Sequence, residues 1–176
     1  MAKNAITINR APVLTLWAAV VAERLGHSWQ EALTLGKAVA GLNAQSKGRR
    51  LGIYEEKTKE ERDKEKKKAK TEELPTLLLL GRSIPVMKTA HGLRAAIQGE
   101  PIDPDAVQTY LQKKFGADLD AARLALEHLA AAYAPRELET RAFDLYEKFR
   151  PEIPDGKKGW GAKGELDLDH VRSLAK

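Results

Sequence analysis

Apolar residues recur at helical spacing along most of this chain, and the spacing fails in the middle and near the end. Val13, Trp17, Val20, Val21 and Leu25 lie three or four apart and predict a first helix over 12–25. Pro12 suits its first turn, where a missing N–H has no partner to lose, and Gly26 ends it. A second helix is expected from Ser28. Ser28 and Glu31 have the spacing of a capping box, in which each side chain satisfies the other residue's orphan backbone N–H. Its inner face is Trp29, Ala32, Leu33, Gly36, Val39 and Ala40. Small residues at 36, 38, 40, 41 and 44 let another helix approach closely, and Lys47-Gly48 closes it.

The pattern then changes. RRLGIYE (49–55) and TLLLLGRSIPVMKT (76–89) are rich in branched and apolar residues, with Gly and Pro interruptions, and predict an antiparallel pair of strands. Pro85 places the second at an edge or ends it. Between them, EEKTKEERDKEKKKAKTEE (55–73) has no apolar face and reads as a solvated helix or loop. Helical spacing returns with Asp103 as cap and Pro104 at the first position, followed by Val107, Tyr110, Leu111 and Phe115, and stopped by Gly116. Asp118 is the expected cap of a helix carrying Leu119, Ala122, Leu126, Leu129, Ala130 and Tyr133. Pro135 opens another with Leu138, Ala142, Leu145, Tyr146 and Phe149. The expected fold is mainly α with a small central antiparallel β-hairpin, in a single helical-bundle-like domain over 1–176. Its parts are a helical pair (12–46), a hairpin (47–90) with the charged insertion 55–73, a bundle (103–150), and a Gly/Lys-rich tail (151–176) with a short helix near 169–175.

Composition narrows the function. Of 176 residues, 43% are hydrophobic, enough for a core, and none is cysteine, which excludes thiolate metal sites and cysteine nucleophiles. No apolar run is long enough for a bilayer and no signal peptide is visible, so a cytoplasmic protein with no membrane partner is expected. The net charge is +5. The charged run contributes nothing to it, holding eight basic and eight acidic residues; the excess, 22 basic against 17 acidic, lies in the rest of the chain.

Few residues are arranged for catalysis. GWGAKG (159–164) has G-x-G-x-x-G spacing, but a dinucleotide fingerprint needs a preceding strand and an acidic residue about 20 positions on; RPEIPDGKK precedes it and the printed chain stops too soon. The segment reads instead as a turn in which Trp160 docks and Lys157, Lys158 and Lys163 face water; the alternative is an anion-binding loop that these three lysines and backbone N–H groups would form. None of the four histidines, His27, His91, His128 and His170, has the local spacing of a metal site. His91, followed by Arg94, is the best catalytic candidate, with no nucleophile beside it. No catalytic residue, metal or cofactor is assigned.

Binding is the better-founded expectation. Two helices, then SKGRR, then a strand pair around a charged excursion resembles a helix-turn-helix followed by a wing. Lys47, Arg49 and Arg50 would grip a DNA or RNA backbone, supported by Lys66, Lys67 and Lys68 of the excursion and by Arg82 across the hairpin. For base reading the second helix offers few groups besides Lys47: Lys37, Asn43 and Gln45, with Gln30 and Glu31 at its start. The alternative is a protein-interaction or self-associating module, a homo-oligomer through the small-residue face of helix two. Two blocks, NRAPVLTLWAAVVAERLG with EALTLGKAVAGLNAQSKGRRLGIYE, and FDLYEKFRPEIP with GWGAKGELDLD, resemble a family of small, mainly helical, uncharacterised bacterial proteins. That resemblance implies a bacterial cytoplasmic setting and no particular activity.

Overall fold

The computed structural model of the chain describes residues 5–50, 74–97, 99–151 and 163–175, with side chains described except at 43–50 and 163. It is mainly α, with two small antiparallel sheets. Helix α1 (Arg10–Arg24) is its centre: every residue from Pro12 to Ala22 is buried. An apolar stripe was expected there, but the faces between the stripe carry Leu14, Leu16, Ala18 and Ala19. No polar face remains to meet water, and a helix apolar all round is buried all round.

Helix α2 (Trp29–Arg50) packs along α1. Gly36 is where their backbones meet: a Cβ there would overlap the carbonyl oxygen of Thr15 and lie 3.0 Å from the amide nitrogen of Ala19. The expected close approach of small residues is thus made, and α1 is the helix that makes it. The expected end is not. α2 passes Lys47-Gly48 and continues to Arg50, so Arg49 and Arg50 are helical and do not open a strand. One interior glycine costs a helix only about 1 kcal/mol, and Lys and Arg are good helix formers. The strand expected over 51–55 lies outside the described residues.

The main sheet has the order β2-β3-β4-β5: β2 (Thr76–Leu79), β3 (Arg82–Thr89), β4 (Gly92–Ile97) and β5 (Glu100–Pro101). The stretch 76–89 was expected to be one strand. It turns back on itself at Leu80-Gly81, where φ is 50° and 74°, and Leu79 faces Arg82. Two successive left-handed residues make the tight turn that matches strand twist, at a cost of about 1–2 kcal/mol for a non-glycine. Leu80 is 3% exposed, and its burial offsets that cost. Pro85 neither ends β3 nor puts it at an edge: it lies inside an inner strand, opposite Thr76 and just before the β3–β4 pairing, which starts with Val86 opposite Ala95, so its missing N–H costs no bond to β4.

A second sheet joins the two ends of the described chain. β1 (Ala5–Asn9) runs antiparallel to β6 (Lys163–Asp167), with Ile6 opposite Leu166 and Ile8 opposite Gly164. No strand was expected in either place. Lys163 and Gly164 of GWGAKG are therefore extended in a ladder, and the next helix opens only at Leu168.

The remaining helices are α3 (Pro104–Phe115), α4 (Leu119–Ala131), α5 (Pro135–Phe149) and α6 (Leu168–Ser173). Asp103 caps α3 as expected, accepting from the Asp105 amide at 3.0 Å, and Gly116 ends it with φ 57°. Asp118 caps nothing: a 3-10 turn over Gly116–Asp118 leads straight into α4, so its backbone is already helical and its carboxylate meets no first-turn amide. On the other side of α1, the Trp17 indole N–H donates to the Ala142 carbonyl at 2.8 Å, and its ring meets Phe149 edge-on at 5.3 Å. Phe149 in turn meets Tyr146 edge-on at 5.9 Å. Burial pushes the Tyr146 phenol up to about 12.

Candidate nucleic-acid interface

The first turn of α2 fixes the main sheet. The capping box forms: the Ser28 amide donates to Glu31 Oε1 at 3.1 Å, and the Glu31 amide to Ser28 Oγ at 3.2 Å. The second carboxylate oxygen of Glu31 accepts from the Leu93 amide at 2.9 Å, and Thr34 Oγ1 accepts from the Ala95 amide at 3.0 Å. Beyond β5's two residues β4 has an open edge, and α2 closes it with side chains instead of a strand. Thr34, fully buried, also donates to the Glu31 carbonyl at 2.8 Å. The Ser28 amide is the chief cause that holds the Glu31 carboxyl below its usual range; burial opposes it, and the Leu93 amide and nearby His27 add to the lowering.

These two bonds give α2 a direction relative to the sheet. Glu31 meets Leu93 and Thr34 meets Ala95, so helix and β4 advance together. β3 returns antiparallel, so Arg82, its first residue, falls at the end of the sheet toward which α2 advances. Arg82 is half-buried beside the Leu80-Gly81 turn. Lys47, Arg49 and Arg50 occupy the last turn of α2; their side chains lie outside the described residues, as do Lys66, Lys67, Lys68, Lys157, Lys158, Trp160 and the side chain of Lys163.

Along α2 the solvent-facing strip is narrow. Gln30 and Gly41 are exposed and Lys37 is partly so, while 32–36 and 38–40 are buried. The sheet flanks the strip on one side and α3 on the other. From α3, Tyr110 lies under the strip: the Lys37 ammonium stands 4.1 Å above its ring centroid, an attraction of about 0.5–1 kcal/mol at such a site. Burial holds the Lys37 ammonium below its ordinary value, and the charge of Lys114, one turn beyond Tyr110, pushes it the same way. Burial also raises the Tyr110 phenol.

Several arginines of the described residues are paired with carboxylates, one of them beside α2. Arg123 stacks on Trp29 at 3.7 Å and reaches Glu23 at 3.8 Å and Glu127 at 3.5 Å, which staples α1, α2 and α4 together. Arg141 pairs with Glu137 and Arg172 with Asp169. Among the described residues, no carboxylate comes within 4.0 Å of Lys37 or Lys114. Sequence reasoning named Lys37 and missed Lys114. Its only local signal is the four-residue step from Tyr110, and the partner across the helix pair is not written in either segment.

The catalytic candidate fares differently. His91 is exposed in the β3–β4 turn, and among the described residues its imidazole makes no hydrogen bond. Its backbone does the local work: the amide donates to Thr89 Oγ1 at 3.2 Å, and the carbonyl accepts from buried Arg94 at 3.4 Å. Among the described residues no group of three metal-binding side chains forms and no helix is long and apolar enough to cross a membrane. No protein-family profile, curated protein or solved structure matches the chain.

Proposed function

We propose that this chain is a non-enzymatic nucleic-acid-binding protein that holds the phosphate backbone with the basic end of α2 and the adjoining β2–β3 hairpin. The observation that supports this reading is the shared direction of α2 and β4, so that α2 runs toward the end of the sheet at which β3 begins with Arg82. Cations gathered at one end of a helix–hairpin unit contact phosphates on a polymer too wide to enter a cleft, and the Lys37 strip leads from the middle of α2 toward them. The body that carries this surface is read as one helical-bundle-like domain in a bacterial cytoplasm, with DNA or RNA as partner.

Binding of this kind releases counterions, so affinity falls with salt with a log–log slope of about −0.9 per phosphate neutralised on duplex DNA. Titration of the protein into a labelled DNA duplex and a labelled RNA strand at two salt concentrations is the test. The Arg49→Ala/Arg50→Ala variant should bind more weakly and lose roughly two units of slope. Absent or salt-insensitive binding overturns the proposal. Self-association then takes its place, but not through the small-residue face of α2, which packs on α1: Leu78, 56% exposed, stands on β2, an edge strand of the sheet among the described residues. Sedimentation as a dimer would support that second reading.

A further inference from the structure

We infer that Lys37, held over the Tyr110 ring from α2, and Lys114, one turn beyond Tyr110 on α3, form a phosphate seat for one phosphodiester of a bound nucleic acid. The inference rests on the nucleic-acid reading and adds a contact that no local sequence pattern marks.

Four features point to an anion at this place. Lys37 of α2 stands 4.1 Å over Tyr110 of α3, Lys114 follows Tyr110 by one turn on that helix, and its charge acts on Lys37. Among the described residues neither lysine has a carboxylate partner, although Arg123, stacked on Trp29 of α2, has two. Lys37 is held over an aromatic face, so its head has a fixed position to offer. One turn further along α2, Gly41 is exposed, with nothing within 4 Å of where a Cβ would stand, so a polymer backbone can come close to the helix. A partly desolvated lysine beside a second lysine is in an unfavourable state when empty. A phosphodiester replaces the lost hydration and cancels the repulsion.

Charge linkage gives the seat its signature. Among the described residues, Lys114 is the charge that acts on Lys37 and Tyr110 is the titratable group in contact with it, both from α3; from α1, β3 and β4, also packed on α2, no charged group acts on it. The empty seat holds Lys37 below its ordinary value, and a bound phosphate raises it. Binding therefore takes up protons at alkaline pH, and affinity falls as pH rises through the Lys37 titration of the free protein.

The experiment uses Lys37→Met, which keeps the apolar stem over Tyr110, Lys114→Ala, and Lys148→Ala on α5 as control, each confirmed folded by circular dichroism. Each seat variant should lower the salt slope for the labelled duplex by roughly one unit and weaken binding alike across sequences. Lysine side-chain NMR should show the Lys37 midpoint move up when duplex is added. If both seat variants keep the wild-type slope, or the Lys37 midpoint stays in place with duplex bound, the seat is wrong. Should Arg49→Ala/Arg50→Ala lose binding in that same series, the broader reading survives without it. If the wild-type protein binds neither duplex nor RNA, both fall together.

Discussion

Glu31 carries more of the structure than its place in the sequence announces. S-x-x-E predicts a cap, and the cap forms. The second oxygen, bound to Leu93 on a strand 62 positions away, is a tertiary contact that no local pattern encodes. Glu31→Gln keeps the shape and removes the charge that favours both backbone bonds. It should destabilise the protein by about 1 kcal/mol at neutral pH. The folded-state carboxyl lies below its unfolded value, so its contribution is present above the ordinary glutamate range, about 4.3, and is lost as pH falls through the folded value. Denaturant unfolding of wild type and variant at neutral and strongly acidic pH checks this: the gap should close in acid. A gap that persists there would mean that shape, and not charge, is what Glu31 supplies.

Two glycines of α2 separate packing from propensity at the scale of the element. Both read as small helical residues, and only the structure tells them apart. At Gly36 a methyl meets the backbone of α1, which cannot give way like a side chain, so the two helices must move apart. Gly36→Ala should cost about 1–3 kcal/mol by overpacking, or more. At Gly41 nothing stands in the way. Gly41→Ala should stabilise the protein by about 0.5–1 kcal/mol through helix propensity alone. Thermal unfolding of the pair should therefore give midpoint shifts of opposite sign; shifts of the same sign would contradict the close α1–α2 approach. The helices of this chain were legible because their apolar spacing, caps and breakers agree with one another. The Leu80-Gly81 turn was not legible, because a leucine at a left-handed position contradicts its own preference and is kept there by burial. The end of α2 was misread for the reverse reason: a glycine signals a stop that good helix formers on either side override.

At the scale of the whole molecule, the pairing of the first strand with the last was the least legible feature. AITIN and KGELD are short, and each gains a hydrogen-bonded edge only from a partner more than 150 positions away. The signal present, Ile6 and Ile8 two apart, is too brief to stand against the helix that follows. Closure is nevertheless tied into the core. Ile8 is 2% exposed and Leu166 is fully buried. β1 packs against α1, α3 and α6, the Arg10 guanidinium just after β1 donates to the Pro151 carbonyl at 2.7 Å, and the Tyr133 hydroxyl donates to the Leu174 carbonyl just after α6 at 2.9 Å. Leu166→Ala should then cost about 2–5 kcal/mol, the range for deleting a buried leucine side chain. The loss should appear in a single transition. Far-UV circular dichroism and tryptophan fluorescence, to which Trp17 at the α1–α5 contact contributes, should shift to the same lower denaturant midpoint. A peripheral clasp would behave otherwise, with an early partial loss of dichroism and an unmoved fluorescence transition. The variant also separates stability from recognition. Below its unfolding transition it should bind labelled duplex with the wild-type salt slope, because Lys37, Lys114 and the end of α2 lie outside the paired strands, which α3 meets through its packing on β1. A changed slope in folded Leu166→Ala protein would place the closing strands within the binding surface and require that surface to be redrawn.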